Sequence, residues 1–261
     1  MSNERQQRAA RAEQMRKERE KADRKQRNLI TIAIVVIVLA LVAVGGYAIK
    51  TTSDSRAKET DVVTPKGATG EYGINFTPED AGGEAATDPV EVVIYEDLQC
   101  PVCKAFEQAN GAFLDEAVKN GDITIEYRLL AFLDRASPNQ YSRRAASAAL
   151  CAYNSGGGEA YKKVSNLLWA NQPEEQSAGP EDTALVETLK QGGVSGEAAE
   201  SCVVTGKFIP WVLEATEASR DAKVTGTPTV RIDGKDVKGA QGGAVPQLPD
   251  LQKAIEAAKN A

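Results

Sequence analysis

Histidine is absent from all 261 residues, and that absence excludes more chemistry than any other feature of the chain. No Ser-His-Asp triad, no Cys-His protease pair and no His-bearing metal site can be assembled. Any nucleophile must be activated in another way, and the conspicuous reactive side chains are four cysteines: Cys100, Cys103, Cys151 and Cys202. Internal repeats are lacking too. So is a second Cys-x-x-Cys to join Cys100-Pro101-Val102-Cys103 in a zinc ribbon, which leaves a four-cysteine site drawing on Cys151 and Cys202 as the zinc alternative. The reading preferred here expects no metal.

Net positive charge is confined to one end. Residues 1–27 hold ten Arg and Lys against five Asp and Glu, and with a chain total of −6 the remainder carries −11. An acidic body argues against nucleic acid as a partner, and a mixed-sign charged head reads as a solvated tail. Leu29 to Ile49 is an uncharged apolar run of 21 residues, which at about 1.5 Å per residue matches a hydrocarbon core of about 30 Å. Basic residues flank it on the N-terminal side. Residues 1–28 are therefore expected to be a cytoplasmic tail and 29–49 a single transmembrane helix contacting the lipid bilayer, with everything beyond outside the cytoplasm. A cleaved signal peptide is the competing reading; the run is long for one and no A-x-A motif follows it. Residues 50–88, rich in small and polar side chains, read as an extracytoplasmic linker, with a short strand around Tyr72 to Phe76.

From residue 89 onward the pattern is that of one α/β domain, 89–261. Val90 to Tyr95 is apolar on both faces and reads as a strand. Phe106, Phe113, Leu114 and Ala117 follow at helical spacing up to Gly121, and Ile123 to Leu129 alternates as a second strand. Residues 138–222 read as a helical block that Ser137 caps and Pro138 starts, with a break at Gly156 to Gly158. Trp169 and Trp211 within it read as core or groove wall. Thr229 to Ile232, an Asp233-Gly234 turn, Asp236 to Lys238 and a last helix carrying Leu248, Leu251 and Ile255 close the chain.

The sharpest chemical feature is Cys100-Pro101-Val102-Cys103 at a strand-to-helix junction. Two cysteines three apart at a helix start can reach each other, so a disulfide there forms and breaks without large motion. The first lies at the unpaired N–H groups and positive end of the helix, which favours the thiolate and lowers its pKa below about 8.5. Pro101 falls where a missing N–H costs nothing. Glu96 and Asp97, just ahead, are placed to tune a thiol or relay a proton to a departing sulfur; the bland alternative is a solvated strand end.

The segment IYEDLQCPVCKAF resembles the DsbA-like signature of strand, acidic residue and Cys-Pro-x-Cys. AASAALCAY, LLWANQP and VTGTPTVRIDGK are similar to that bacterial family's helical insertion and cis-proline strand. The resemblance spans about residues 88–258. It implies a thioredoxin-like α/β fold with a helical insertion (β-α-β, helices, β-β-α), Cys100 as attacking and Cys103 as resolving cysteine, and Thr227 with Pro228 as the substrate-positioning loop. Four cysteines allow three pairings. With Cys100 and Cys103 paired locally, Cys151 and Cys202 are left either to form a structural disulfide or to stay as two buried thiols; closing that loop would contribute about 4 kcal/mol. One departure stands out: the best-known oxidising members carry His where this chain has Val102. Val102 cannot donate a hydrogen bond to the thiolate, which predicts a Cys100 pKa above the lowest known, near 3.5.

The activity these features imply is disulfide donation to exported protein thiols, with no cofactor beyond the redox-active pair. The resemblance further implies reoxidation by a quinone-linked membrane partner of the DsbB or vitamin-K-epoxide-reductase type. A reductase or isomerase of the same fold is the first alternative, and a redox-inactive tethered binding module the second.

Overall fold

The computed structural model describes residues 62–260; the expected tail and transmembrane span lie outside them. Among the described residues no helix is long and apolar enough to cross a membrane.

Among the described residues five strands, β1 (Ile74–Phe76), β2 (Val90–Glu96), β3 (Ile123–Leu129), β4 (Thr229–Ile232) and β5 (Lys235–Asp236), form one mixed sheet in the order β1-β3-β2-β4-β5. At its centre β2 (Val90–Glu96) runs parallel to β3 (Ile123–Leu129), Val90 opposite Ile123 and Glu96 opposite Leu129. The crossover between them is α1 (Pro101–Lys119). Helices cover such a sheet, so nearly every side chain of β2 is buried, which accounts for its apolar residues on both faces. Pro101 occupies the first turn of α1, and Gly121 just beyond its end takes φ +77, a conformation open to glycine without penalty.

The strand expected around Tyr72 to Phe76 is β1 (Ile74–Phe76), antiparallel to β3. Residues 62–88, read from composition as the second half of a linker, thus belong to the folded unit. Ile74 and Phe76 alternate into the core, a pattern too short to stand out against its polar surroundings. Antiparallel to the other side of β2 runs β4 (Thr229–Ile232), followed by β5 (Lys235–Asp236). Asp233 (φ 49) and Gly234 (φ 73) form the two-residue turn between them.

Between β3 and β4 lies the helical insertion: α2 (Tyr141–Ala170), α3 (Asp182–Gln191), α4 (Glu197–Val204) and α5 (Ile209–Asp221). Its start differs from the expected cap. Ser137 accepts the Tyr141 N–H at 2.9 Å, but Pro138 and Asn139 lie in a preceding turn. The Asn139 amide holds that turn outside the helix by pairing with both backbone groups of Gly179 at 2.7 and 3.0 Å. The Gly156–Gly158 break is a kink inside α2. Gly157 has φ 70, ψ −159, and a Cβ on Gly158 would collide with the Asp80 carboxylate, which accepts the Gly158 N–H at 3.1 Å. This kink ties the insertion to the loop after β1. The last helix, α6 (Leu248–Lys259), packs on α1, β2 and β4.

Candidate active site

Three segments meet at the C-terminal end of β2. Cys100 is the N-cap of α1 in extended conformation (φ −74, ψ 117), its N–H donating to the Asp97 carbonyl at 2.8 Å. Cys103 lies one turn on, at 0 % exposure against 8 % for Cys100. The loop before β4 brings Thr227, joined to Pro228 by a cis peptide, against Cys100, whose Sγ donates to the Thr227 carbonyl at 3.5 Å. Beside this loop runs a groove of about 360 Å³, lined by Thr227, Pro228, Val237 and Val245 among others. A larger surface groove of about 440 Å³, between the β4–β5 hairpin and α6, contains none of the cysteines.

Both cysteines carry free thiols here, and their surroundings separate them. The Cys103 thiol donates to the Cys100 sulfur, and the N–H groups of Cys103 and Val102 with the Thr227 side chain add to it. Against the opposing cost of burial they bring Cys100 down from 9.0 to about 6. That lies above the lowest known value, in the direction expected for a valine at position 102; Val102 is 46 % exposed. Burial pushes the Cys103 thiol well above 9.0, with contributions from Cys100 and the Glu96 charge. One sulfur is therefore a thiolate near neutral pH and the other holds its proton.

Glu96 and Asp97 are not a solvated strand end: both have 0 % exposure. Asp97 is saturated with donors, accepting the Gln99 N–H at 2.9 Å, the Ser142 hydroxyl at 2.7 Å and the Leu133 N–H at 2.9 Å. It fastens β2, the loop after β3 and the insertion to one another, and its own backbone N–H donates to Cys103. Glu96 has no donor to either oxygen among the described residues. Burial, then the neighbouring Glu107 charge, raise its pKa well above 4.5.

The cysteines remaining, Cys151 of α2 and Cys202 of α4, are bonded to each other across the insertion. Among the described residues no group of three or more His, Cys, Asp or Glu could hold a metal ion.

The profile of the family described as Thioredoxin matches residues 81–257, more than half of the chain. The chain belongs to the thioredoxin family. Among solved structures this thioredoxin-family chain is similar to oxidised DsbA from Mycobacterium tuberculosis, with 29 % identity and a TM-score of 0.56 over 71 % of this chain and 99 % of that one. It is also similar to MdbA, a thiol-disulfide oxidoreductase from Corynebacterium diphtheriae (26 % identity, TM-score 0.58, 77 % of this chain and 97 % of that one). The reduced disulfide bond oxidoreductase DsbG of M. tuberculosis matches at 28 % identity and TM-score 0.57, over 74 % and 97 %. A curated relative is the serine/threonine-protein kinase PknE of M. tuberculosis, 29 % identical over 149 residues. That match covers 54 % of this chain, which spans about a quarter (26 %) of the kinase's length.

Three residues of this thioredoxin-family site carry no motif. Gln172 donates through Nε2 to the carbonyls of Leu98 and Cys100, both at 3.0 Å, bracing the turn into α1 from the insertion. Glu107 and Lys162 are buried charges lying 3.2 Å apart. A faint signal exists for both: Glu107 falls on the apolar stripe of α1 beside Phe106, and Lys162 follows Tyr161 in a stretch otherwise set by core residues.

Proposed function

We propose that this chain donates disulfides to exported protein thiols from the outer face of the membrane, anchored through residues 29–49. The observation that carries the reading is the asymmetry of the pair: an edge sulfur held near a pKa of about 6 beside the Thr227 carbonyl, in front of a fully enclosed sulfur held well above 9.0. A substrate thiolate attacks the Cys100 sulfur of the Cys100–Cys103 disulfide, and the bonding pair leaves with Cys103. Low Cys100 pKa makes that sulfur a good leaving group when a second substrate thiolate attacks the mixed disulfide. The substrate loses two electrons, the enzyme gains them, and no cofactor takes part. Glu96, enclosed near Cys103 and with its pKa raised by burial, is the acid that protonates the departing Cys103 thiolate. Support comes from the similar structures, DsbA and a thiol-disulfide oxidoreductase among them. A quinone-linked membrane partner of the DsbB or vitamin-K-epoxide-reductase type would return the pair to the disulfide.

One observation favours a second reading, a reductase or isomerase: a Cys100 pKa of about 6 is nearer thioredoxin's, about 7, than DsbA's, about 3.5. Equilibrating the full chain in glutathione buffers, with Cys100→Ser as control, separates the two. A potential well above about −200 mV is the expected result, and one at or below about −250 mV reverses the direction of flux. A pair that never equilibrates reduces the chain to a tethered binding module.

A further inference from the structure

Two glutamines reach across the turn that leads into α1, one from each side. Gln99, buried between Leu98 and Cys100, donates through Nε2 to the carbonyls of Glu174 and Ser177 at 3.4 and 3.1 Å. Gln172, at the start of that loop, sends its own Nε2 back to the carbonyls of Leu98 and Cys100, both at 3.0 Å. Carbonyl partners fix which way each amide points, because only the NH2 end donates. For Gln99 that orientation is costly: its Oε1 is buried and meets no donor among the described residues. Gln172 is held firmly for its part. Its N–H closes the end of α2 on the Trp169 carbonyl at 3.3 Å, and Pro173 bars a further helical turn. The far end of the loop is fastened independently, by the Asn139 amide on Gly179.

Of the two, Gln172 bears on the reacting residue. The Cys100 carbonyl accepts twice, from Gln172 and from the Lys104 N–H at 3.1 Å, which is the first bond of α1. Holding that carbonyl holds ψ of Cys100 at 117, the torsion that sets where its side chain lies relative to the first turn of the helix. Holding the Leu98 carbonyl fixes the peptide that enters from the other side. We propose that Gln172 is a positioning residue for the exchange: by gripping the Leu98 and Cys100 carbonyls it keeps the Cys100 sulfur on the N–H groups of Val102 and Cys103. The inference rests on the thiol–disulfide exchange proposed above. Gln172 acts through the backbone of Cys100 and takes no part in making or breaking bonds. Without its amide the turn is free to rotate away from those N–H groups, and the enclosed Leu98 carbonyl loses a donor. Both changes penalise the thiolate and spare the thiol, so Cys100 becomes a poorer leaving group and the reduced pair is less favoured. The titratable groups that act on the same sulfur are Cys103 of α1 and Glu96 of β2.

The test titrates the Cys100 thiolate by its absorbance in the reduced full chain and measures the equilibrium of the pair with glutathione. Gln172→Met keeps the length and removes the donor. It is expected to raise the Cys100 midpoint by about half to one pH unit and to move the glutathione equilibrium about three- to tenfold toward the disulfide. Gln172→Lys supplies a donor again and is expected to keep both at the parent's values or lower the midpoint further. Asn139→Ala slackens the same loop from its Gly179 end; it should lower the denaturation midpoint and leave the titration where it was. A Gln172→Met titration equal to the parent's would overturn the assignment, as would a lysine that behaves like the methionine. So would an Asn139→Ala shift of the same size, which would trace the effect to a loose loop and not to the held carbonyls. A parent pair that never reacts with glutathione would overturn the exchange reading instead, while the titration still decides the role of Gln172.

Discussion

Cys100 and Cys103 stand at the mouth of a helix, whereas Cys151 and Cys202, 51 positions apart, are closed between two helices of the insertion. The difference lies in what each sulfur can touch. At the start of α1 the Cys103 thiol, free N–H groups and the Thr227 side chain stabilise a thiolate, beside a loop that lines a groove. The second pair is no more enclosed than the first (0 and 7 % exposed against 0 and 8 %), but it lies in the apolar core among Ala148, Ala149 and Ala152 of α2 and Val203 of α4. The same atom type therefore gives a reactive pair in one place and a crosslink in the other. Reactivity follows the thiolate's surroundings, and stabilisation follows the length of loop closed.

The largest expected effect breaks this comparison in both directions. Cys100→Ser should abolish exchange with glutathione and cost no more stability than the lowered Cys100 pKa lends the reduced chain near neutral pH. Cys151→Ala with Cys202→Ala should do the reverse, costing about 4 kcal/mol of stability while the exchange rate holds. Finding the insertion variant as slow as Cys100→Ser would mean that the second disulfide takes part in the chemistry.

Neighbouring carboxyls sharpen the contrast at a smaller scale. Asp97→Asn turns one acceptor into a donor facing a donor, so it should cost about 1–3 kcal/mol. Glu96 has a folded pKa raised above its unfolded value, so its favourable share is complete below 4.5 and is lost as pH rises toward the folded pKa. Glu96→Gln escapes that loss. Relative to the parent it should gain up to about 1.4 kcal/mol for each pH unit within that window, read as the difference in midpoints between about pH 4 and about pH 7. A difference that stays flat with pH would place a charged Glu96 in the folded protein.

How much of this was legible beforehand divides along the same physical line. Local rules marked an apolar strand and Cys-Pro-x-Cys at a helix start, features whose cause lies within a few residues. The Asp233-Gly234 turn and the glycine break of α2 were readable for that reason too. The Gly-Thr-Pro-Thr before a late strand is weak alone and was carried by the family resemblance. What escaped depends on distant partners. Asn139 meets Gly179 across 40 positions and displaces the start of α2; Lys162 meets Glu107 across 55; Gln172 reaches Cys100 across 72. The opposite fates of Glu96 and Asp97, adjacent in sequence, depend on Ser142, Leu133 and Glu107 arriving from three other elements. β1 was faint because three residues fill its place on the sheet.

The smallest expected effect concerns Val102, the exposed residue between the two thiols. Val102→His supplies a donor and, when protonated, a charge next to Cys100, so the thiolate should titrate below the parent's value of about 6, followed through thiolate absorbance. Stabilising that thiolate stabilises the reduced protein, and each pKa unit corresponds to about 30 mV of more oxidising potential. A side chain as exposed as this one is screened by water, which holds the gain below that figure for any interaction of a surface kind. The pH dependence gives the sign independently. A depressed folded pKa contributes stability that is complete above 9.0 and fades as pH falls through about 6, so the two proteins should differ in potential at neutral pH and converge in acid. A histidine that shifted neither the titration nor the potential would mean that the helix terminus and Thr227, without help from position 102, already set the thiolate's energy.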